Sequence, residues 1–133
     1  MDLALHEGAD PILLKDIAQR QQISLHYLEH LITPLIAAGI IRSTRGPRGG
    51  VSLAKPPQEV RLSEIIQILE GSMTPVECVN SPEVCDRSDS CAVRDIWSDL
   101  KKAMNKVLES TTLKDLVERQ KRKGQPEEVM YHI

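Results

Sequence analysis

The chain has no phenylalanine, one tryptophan and two tyrosines in 133 residues. Proteins that hold single-stranded DNA or RNA stack bases on aromatic side chains, so that class is nearly excluded. No apolar run approaches the roughly 20 residues that a membrane-spanning helix needs. The opening Met1-Asp2-Leu3-Ala4-Leu5-His6-Glu7 lacks the basic and apolar regions of a secretory signal. The expected location is therefore the cytoplasm, with no membrane partner. The glycine-rich stretch Gly46-Pro47-Arg48-Gly49-Gly50 lacks the Lys-Ser/Thr ending and the following helix of a phosphate-binding loop. No cysteine–histidine pair or carboxylate dyad is apparent near the cysteines, so an enzyme is not expected.

What is present is a single small domain's worth of aliphatic residues. Hydrophobic residues make up 41% of the chain, and its core must come from Leu, Ile, Val, Ala and Met. The net charge of −2 conceals a segregated pattern. Residues 24–55 carry Arg42, Arg45, Arg48 and Lys55 against the lone acid Glu29, residues 56–99 are dominated by acids, and the remainder turns basic again. A local basic patch on a nearly neutral chain suits a specific, moderate DNA contact, although a solvated surface gives the same pattern.

Hydrophobic spacing sets out the elements. Pro11 interrupts a short apolar helix, and Ile12 to Gln21 reads as a second helix with Leu13, Leu14, Ile17 and Ala18 on one side. Ser24 is a good N-cap for a third, whose stripe Leu28, Leu31, Ile32, Leu35 and Ile36 ends at Gly39. Pro34 inside it implies a kink or a lost hydrogen bond. Two helices so closely joined form a helix-turn-helix pattern. Residues 40–45 then read as a strand, 46–50 as a turn and 51–54 as the returning strand, a hairpin wing closed by Pro56-Pro57. A short helix over Ser63–Glu70 follows. From Ala92 to about Leu108, Val93, Ile96, Trp97, Leu100, Met104, Val107 and Leu108 recur at helical spacing. That seam fits a two-fold dimerisation helix, with a purely intramolecular core role as the alternative. Thr112 caps a final helix.

The exposed polar residues at the start of the third helix, Ser24, His26, Tyr27, Glu29 and His30, would face a major groove. His26 and His30 also have the spacing of a metal pair, with no third ligand nearby in sequence. Arg45 and Arg48 flank glycines at the wing tip and suit a narrow minor groove. Cys78, Cys85 and Cys91 are the only cysteines. In a reducing compartment an odd set reads as ligands or reactive thiols. A zinc site of cysteine and histidine alone would want a fourth member, yet no histidine lies between His30 and His132. Glu77, Glu83, Asp86, Asp89 and Asp95 offer oxygens, and three thiolates with an oxygen ligand can hold a labile iron-sulfur cluster.

Ser24-Leu25-His26-Tyr27-Leu28-Glu29, the run from Gly39 to Gly50, the three cysteines and Ile96-Trp97 together resemble the IscR/NsrR/CymR family of bacterial winged-helix regulators, from Met1 to about Gln120. The resemblance implies that Cys78, Cys85 and Cys91 stand where IscR-like and NsrR-like members ligate an iron-sulfur cluster, 2Fe-2S in preference to 4Fe-4S. CymR-like members lack the cluster and respond through an enzyme partner. Arg94 occupies the position of the IscR histidine ligand. The family's first helix extends further upstream than Met1, where NsrR-like members draw an aspartate ligand from the partner subunit. The fourth ligand therefore stays open.

The expected fold is mainly α with a small β-hairpin wing: a winged helix-turn-helix head plus a long dimerisation helix. Residues 1–57 form the head, 58–76 a linking helix, 77–91 the cluster-binding loop, 92–123 the dimerisation and final helices, and 124–133 a flexible tail. The expected function is a homodimeric regulator of a double-stranded DNA operator, its affinity controlled by the cluster. The alternatives are a cluster-free regulator of the same fold sensing through thiols or a protein partner, and a metal- or thiol-dependent protein interaction module.

Overall fold

A computed structural model describes residues 1–8 and 10–124. The expected tail, apart from Gly124, lies outside them. The elements run α1 (Asp2–Leu5), α2 (Leu14–Gln21), α3 (Leu25–Ala37), β1 (Ile41–Thr44), β2 (Gly50–Leu53), α4 (Leu62–Glu70), α5 (Glu77–Asn80), α6 (Ala92–Ser110) and α7 (Leu113–Gly124). The mainly helical architecture with one antiparallel hairpin agrees with the sequence reading. Among the described residues no helix is long and apolar enough to cross a membrane.

The turn between α2 and α3 is made by main-chain geometry. Gln22 takes a left-handed conformation at φ 54°, and its N–H returns to the carbonyls of Ala18 and Gln19. The Ile23 N–H then donates to Ala18 O at 3.1 Å, so the carbonyls at the end of α2 are satisfied as the chain reverses. Ser24 starts α3 by accepting from the Tyr27 N–H at 3.1 Å, a cap worth about 1 kcal/mol. Leu28, Ile32 and Leu35 bury one face of α3 against Ile17 and Ala18 of α2 and the wing residues Ile40, Ile41 and Val51. The helix continues through Pro34 as far as Ala37.

The expected helix start at Ile12 is corrected. Helix α2 begins at Leu14, and Ile12 instead bridges Val51 in antiparallel fashion. Its N–H donates to Val51 O at 2.9 Å and its O accepts from Val51 N at 2.8 Å. Gly50 permits this approach, because a Cβ there would run into the Ile12 backbone. Apolar spacing cannot show such a bridge, since Ile12 is as compatible with the helix stripe as with a strand.

The chain closes back on its own head. Thr112 and Asp115 form a reciprocal cap for α7: Asp115 N donates to Thr112 Oγ1 at 3.2 Å, and Thr112 N to Asp115 Oδ2 at 2.9 Å. Leu113 and Val117 then enter the same core as Leu3 and Ala4. Just before α7, Arg61 and Thr112 form an isolated antiparallel bridge. Leu62 N donates to Thr111 O at 2.9 Å and Leu113 N to Val60 O at 2.8 Å. The start of α4 is thereby fixed to the end of α6, and the two helices pack along each other in opposite directions.

Candidate DNA-reading face and cysteine loop

His26, Tyr27, Glu29 and His30 are exposed on α3, with Ser24 exposed at its N-cap; His26 and His30 lie on the side away from the buried Leu28 and Ile32 stripe. Their duties differ. The Ser24 hydroxyl oxygen accepts the capping hydrogen bond and retains its O–H and a second lone pair to offer outward. His26 and His30 meet edge to face, ring centroids 4.5 Å apart, with their Nε2 atoms 3.1 Å from each other. Thr33, one turn on, donates to Glu29 O at 2.8 Å.

The wing holds Arg45 and Arg48 on an exposed turn. Register pairs Ile41 with Leu53 and Thr44 with Gly50, and the turn closes with Gly49 N donating to Gly46 O at 2.9 Å. Gly49 is buried in this turn, and a Cβ there would collide with the Gly46 carbonyl. Among the described residues no carboxylate pairs with Arg42, Arg45 or Arg48. These guanidinium groups stay available to an external anion. Arg42, exposed on β1, extends the basic surface beyond the two arginines that the sequence singles out.

The cysteine loop joins α4 to α6 in short helical turns. Cys78 lies in α5, Cys85 ends the 3-10 turn Pro82–Val84, and Cys91 is the residue before α6. All three thiols are free; Cys85 is exposed and the other two are half-buried. Ser88, the buried polar side chain of the loop, folds its middle by donating to Pro82 O at 2.7 Å and Cys85 O at 2.8 Å. Arg94 Nε donates to Cys78 O at 3.0 Å, tying the first cysteine to the first turn of α6. A second tie runs from Lys101 Nζ to Asn80 Oδ1, while the Asn80 amide donates to Ser72 Oγ at 3.0 Å and Thr74 Oγ1 at 2.6 Å.

The donor chemistry fits a soft metal or an iron-sulfur cluster. The arrangement is open: among the described residues no three His, Cys, Asp or Glu side chains are grouped closely enough to hold a metal ion. The spacing of the cysteines puts the thiols on one loop, and its short turns do not themselves bring them to one point. Sequence reasoning missed the Arg94 and Asn80 ties. Both are side-chain bonds across 16 or more residues, for which periodicity carries no signal.

On α6 the apolar residues divide between two sides. Leu108 faces α4 beside Ile66. Val93, Ile96, Leu100 and Val107 are 61%, 65%, 43% and 62% exposed, and Trp97 is also uncovered.

A helix-turn-helix followed by a two-stranded wing, with unpaired arginines at the wing tip, defines the winged-helix class of DNA-binding regulators. Comparison with known proteins narrows the class. Residues 1–119 match the family model Rrf2, described as an iron-dependent transcriptional regulator. The chain is 42% identical over 117 residues to Protein rrf2 of Nitratidesulfovibrio vulgaris, covering 88% of this chain and 78% of that one. It is 38% identical over 133 residues to the HTH-type transcriptional regulator CymR of Bacillus subtilis, covering 100% and 90% respectively. The solved structure of T. potens IscR superimposes with a TM-score of 0.78 at 35% identity, over 98% of this chain and 86% of that one. The chain belongs to the Rrf2 family: it is a DNA-binding transcriptional regulator and not an enzyme.

Proposed function

We propose that this chain is a homodimeric regulator whose operator affinity is set by an iron-sulfur cluster, 2Fe-2S in preference to 4Fe-4S, held by Cys78, Cys85 and Cys91. The observation that carries the reading is the placement of three free thiols on the one segment that links α4 to α6. When bound, the cluster supplies a redox-sensitive group that is lost or altered under oxidative or nitrosative attack.

The residues of the chain do the rest. Ser88 holds the loop in short turns, and Arg94 and Lys101 fasten its first half to α6. Drawing the thiols inward pulls on both fastenings and so biases the position of α6 against the head. With two copies joined along the exposed α6 face, that position sets the separation of two α3 helices. Half-sites about one helical turn of DNA apart, roughly 34–36 Å, accept only a narrow range of such separations. His26, Tyr27, Glu29 and His30 read bases, with Glu29 suited to accept from a cytosine amino group. Ser24 lies at the same groove, and Arg45 or Arg48 enters the flanking minor groove.

Iron and acid-labile sulfide, measured per chain after purification without air, test the reading. The wild-type protein is expected to carry both with visible absorbance, and Cys85→Ala to lose them and change its operator affinity. A variant that keeps the wild-type spectrum and affinity overturns the cluster assignment.

A second reading has its own observation: Cys85 is exposed, which suits a thiol that responds directly to oxidants. CymR of Staphylococcus aureus has been crystallised in an oxidised form. Iron-free protein whose DNA binding is switched by peroxide and restored by a thiol reductant selects this reading.

A further inference from the structure

We propose that His26 and His30 form a two-histidine binding site for a borderline divalent transition-metal ion, Zn2+, Ni2+ or Cu2+, on the exposed face of α3. The Nε2 atoms of the two rings lie 3.1 Å apart. With metal–nitrogen bonds of about 2.0–2.1 Å, that separation subtends about 100° at a shared ion, between the octahedral and tetrahedral angles. The helix has already placed the ligands. Residues four apart stack on one face, both rings are exposed, and their planes meet edge to face at 88°, so a turn of one ring about its Cβ–Cγ bond is needed for both Nε2 lone pairs to meet at one ion.

The two Nε2 atoms presently share a hydrogen bond, in which one donates and the other accepts. An ion between them takes both lone pairs, and the displaced hydrogen moves to Nδ1 of its own ring through solvent, with no net proton released from neutral imidazoles. The residues from His26 to His30 spell His-x-x-Glu-His, a helical pattern that holds zinc through its two histidines in inverted zinc peptidases. Here no third protein ligand is grouped with the pair among the described residues. Water fills the remaining positions, the ion exchanges readily, and hydrolytic chemistry is not implied. Ion binding and base reading would compete for the same imidazole edges; that consequence rests on the proposed DNA-reading role of α3, whereas the metal site itself does not.

The test is a calorimetric Zn2+ titration of the full chain carrying Cys78→Ser, Cys85→Ser and Cys91→Ser, so that thiols do not take the ion. The same protein is then titrated with His30→Gln or, separately, His6→Gln added. One site per chain is expected in the parent and with His6→Gln. His30→Gln should weaken it about tenfold or more, because the second ligand acts at high effective concentration. Zn2+ should also move the imidazole NMR signals of His26 and His30 together. The proposal is overturned if the affinity survives His30→Gln, or if His6→Gln lowers it equally. Both substitutions are at exposed positions, and an unchanged circular dichroism spectrum verifies folding.

Discussion

At the scale of single residues, Asp2 ties the first two helices together. Its carboxylate receives Arg20 Nε at 3.1 Å, Arg20 Nη2 at 2.6 Å and Gln21 Nε2 at 2.9 Å, and so fastens α1 to the end of α2. The Arg20 hydrogen bonds hold the Asp2 carboxyl below its ordinary value of 3.8. A lowered folded value means that the unfolded chain takes up the proton first on acidification. The stabilisation is therefore complete above about pH 5 and is lost as pH falls below 3.8 toward the folded value. Asp2→Asn should lower the urea midpoint at pH 7 and flatten its fall in acid relative to wild type. Equal acid slopes in the two proteins would show that this carboxylate is not the group responsible. Ser24 is legible as a cap because it stands directly before an apolar stripe. Asp2 is not, because its partners lie 18 and 19 residues away.

Among the elements, those written in periodicity and turn chemistry are legible in the sequence. The stripe of α3, the wing with its glycine turn and the Thr112 cap of α7 each follow from local patterns. Apolar spacing misplaces Ile12 because its partner Val51 is remote and the enabling residue is a glycine in the other strand. The cysteine loop is visible as a set of thiols, but its folding about Ser88 depends on a hydroxyl reaching two carbonyls, which no spacing records. The wing offers a direct check of its proposed role. Arg45→Ala and Arg48→Ala should each weaken operator binding, with the slope of log affinity against log salt shallower by about 1 for each phosphate that is no longer neutralised. Salt titrations monitored by fluorescence anisotropy measure this. Unchanged slopes in both variants would mean that the wing does not touch the DNA backbone.

For the whole molecule, the largest unmet demand is the uncovered side of α6. Burying an aliphatic side chain of this size is worth about 1.5–3 kcal/mol, so several in a row along a 19-residue helix favour a second copy. Ile96→Asp, at a position 65% exposed in the single chain, should leave helical content intact and weaken self-association by about tenfold or more. Sedimentation velocity over a concentration series distinguishes the two proteins, and an unaltered dimer would place the subunit interface elsewhere. The backbone bridge between Arg61 and Thr112 bears on the same assembly. It joins α4 and α6 by main-chain hydrogen bonds at one end, while side chains and the cysteine segment join them at the other. With the two helices pinned at that end, a drawing-together of the thiols would swing α6 about the bridge, with the displacement largest beside Cys91 and smallest at Thr112. Substitutions near the pivot should then alter how stiffly the molecule responds, and those near the thiols what it responds to.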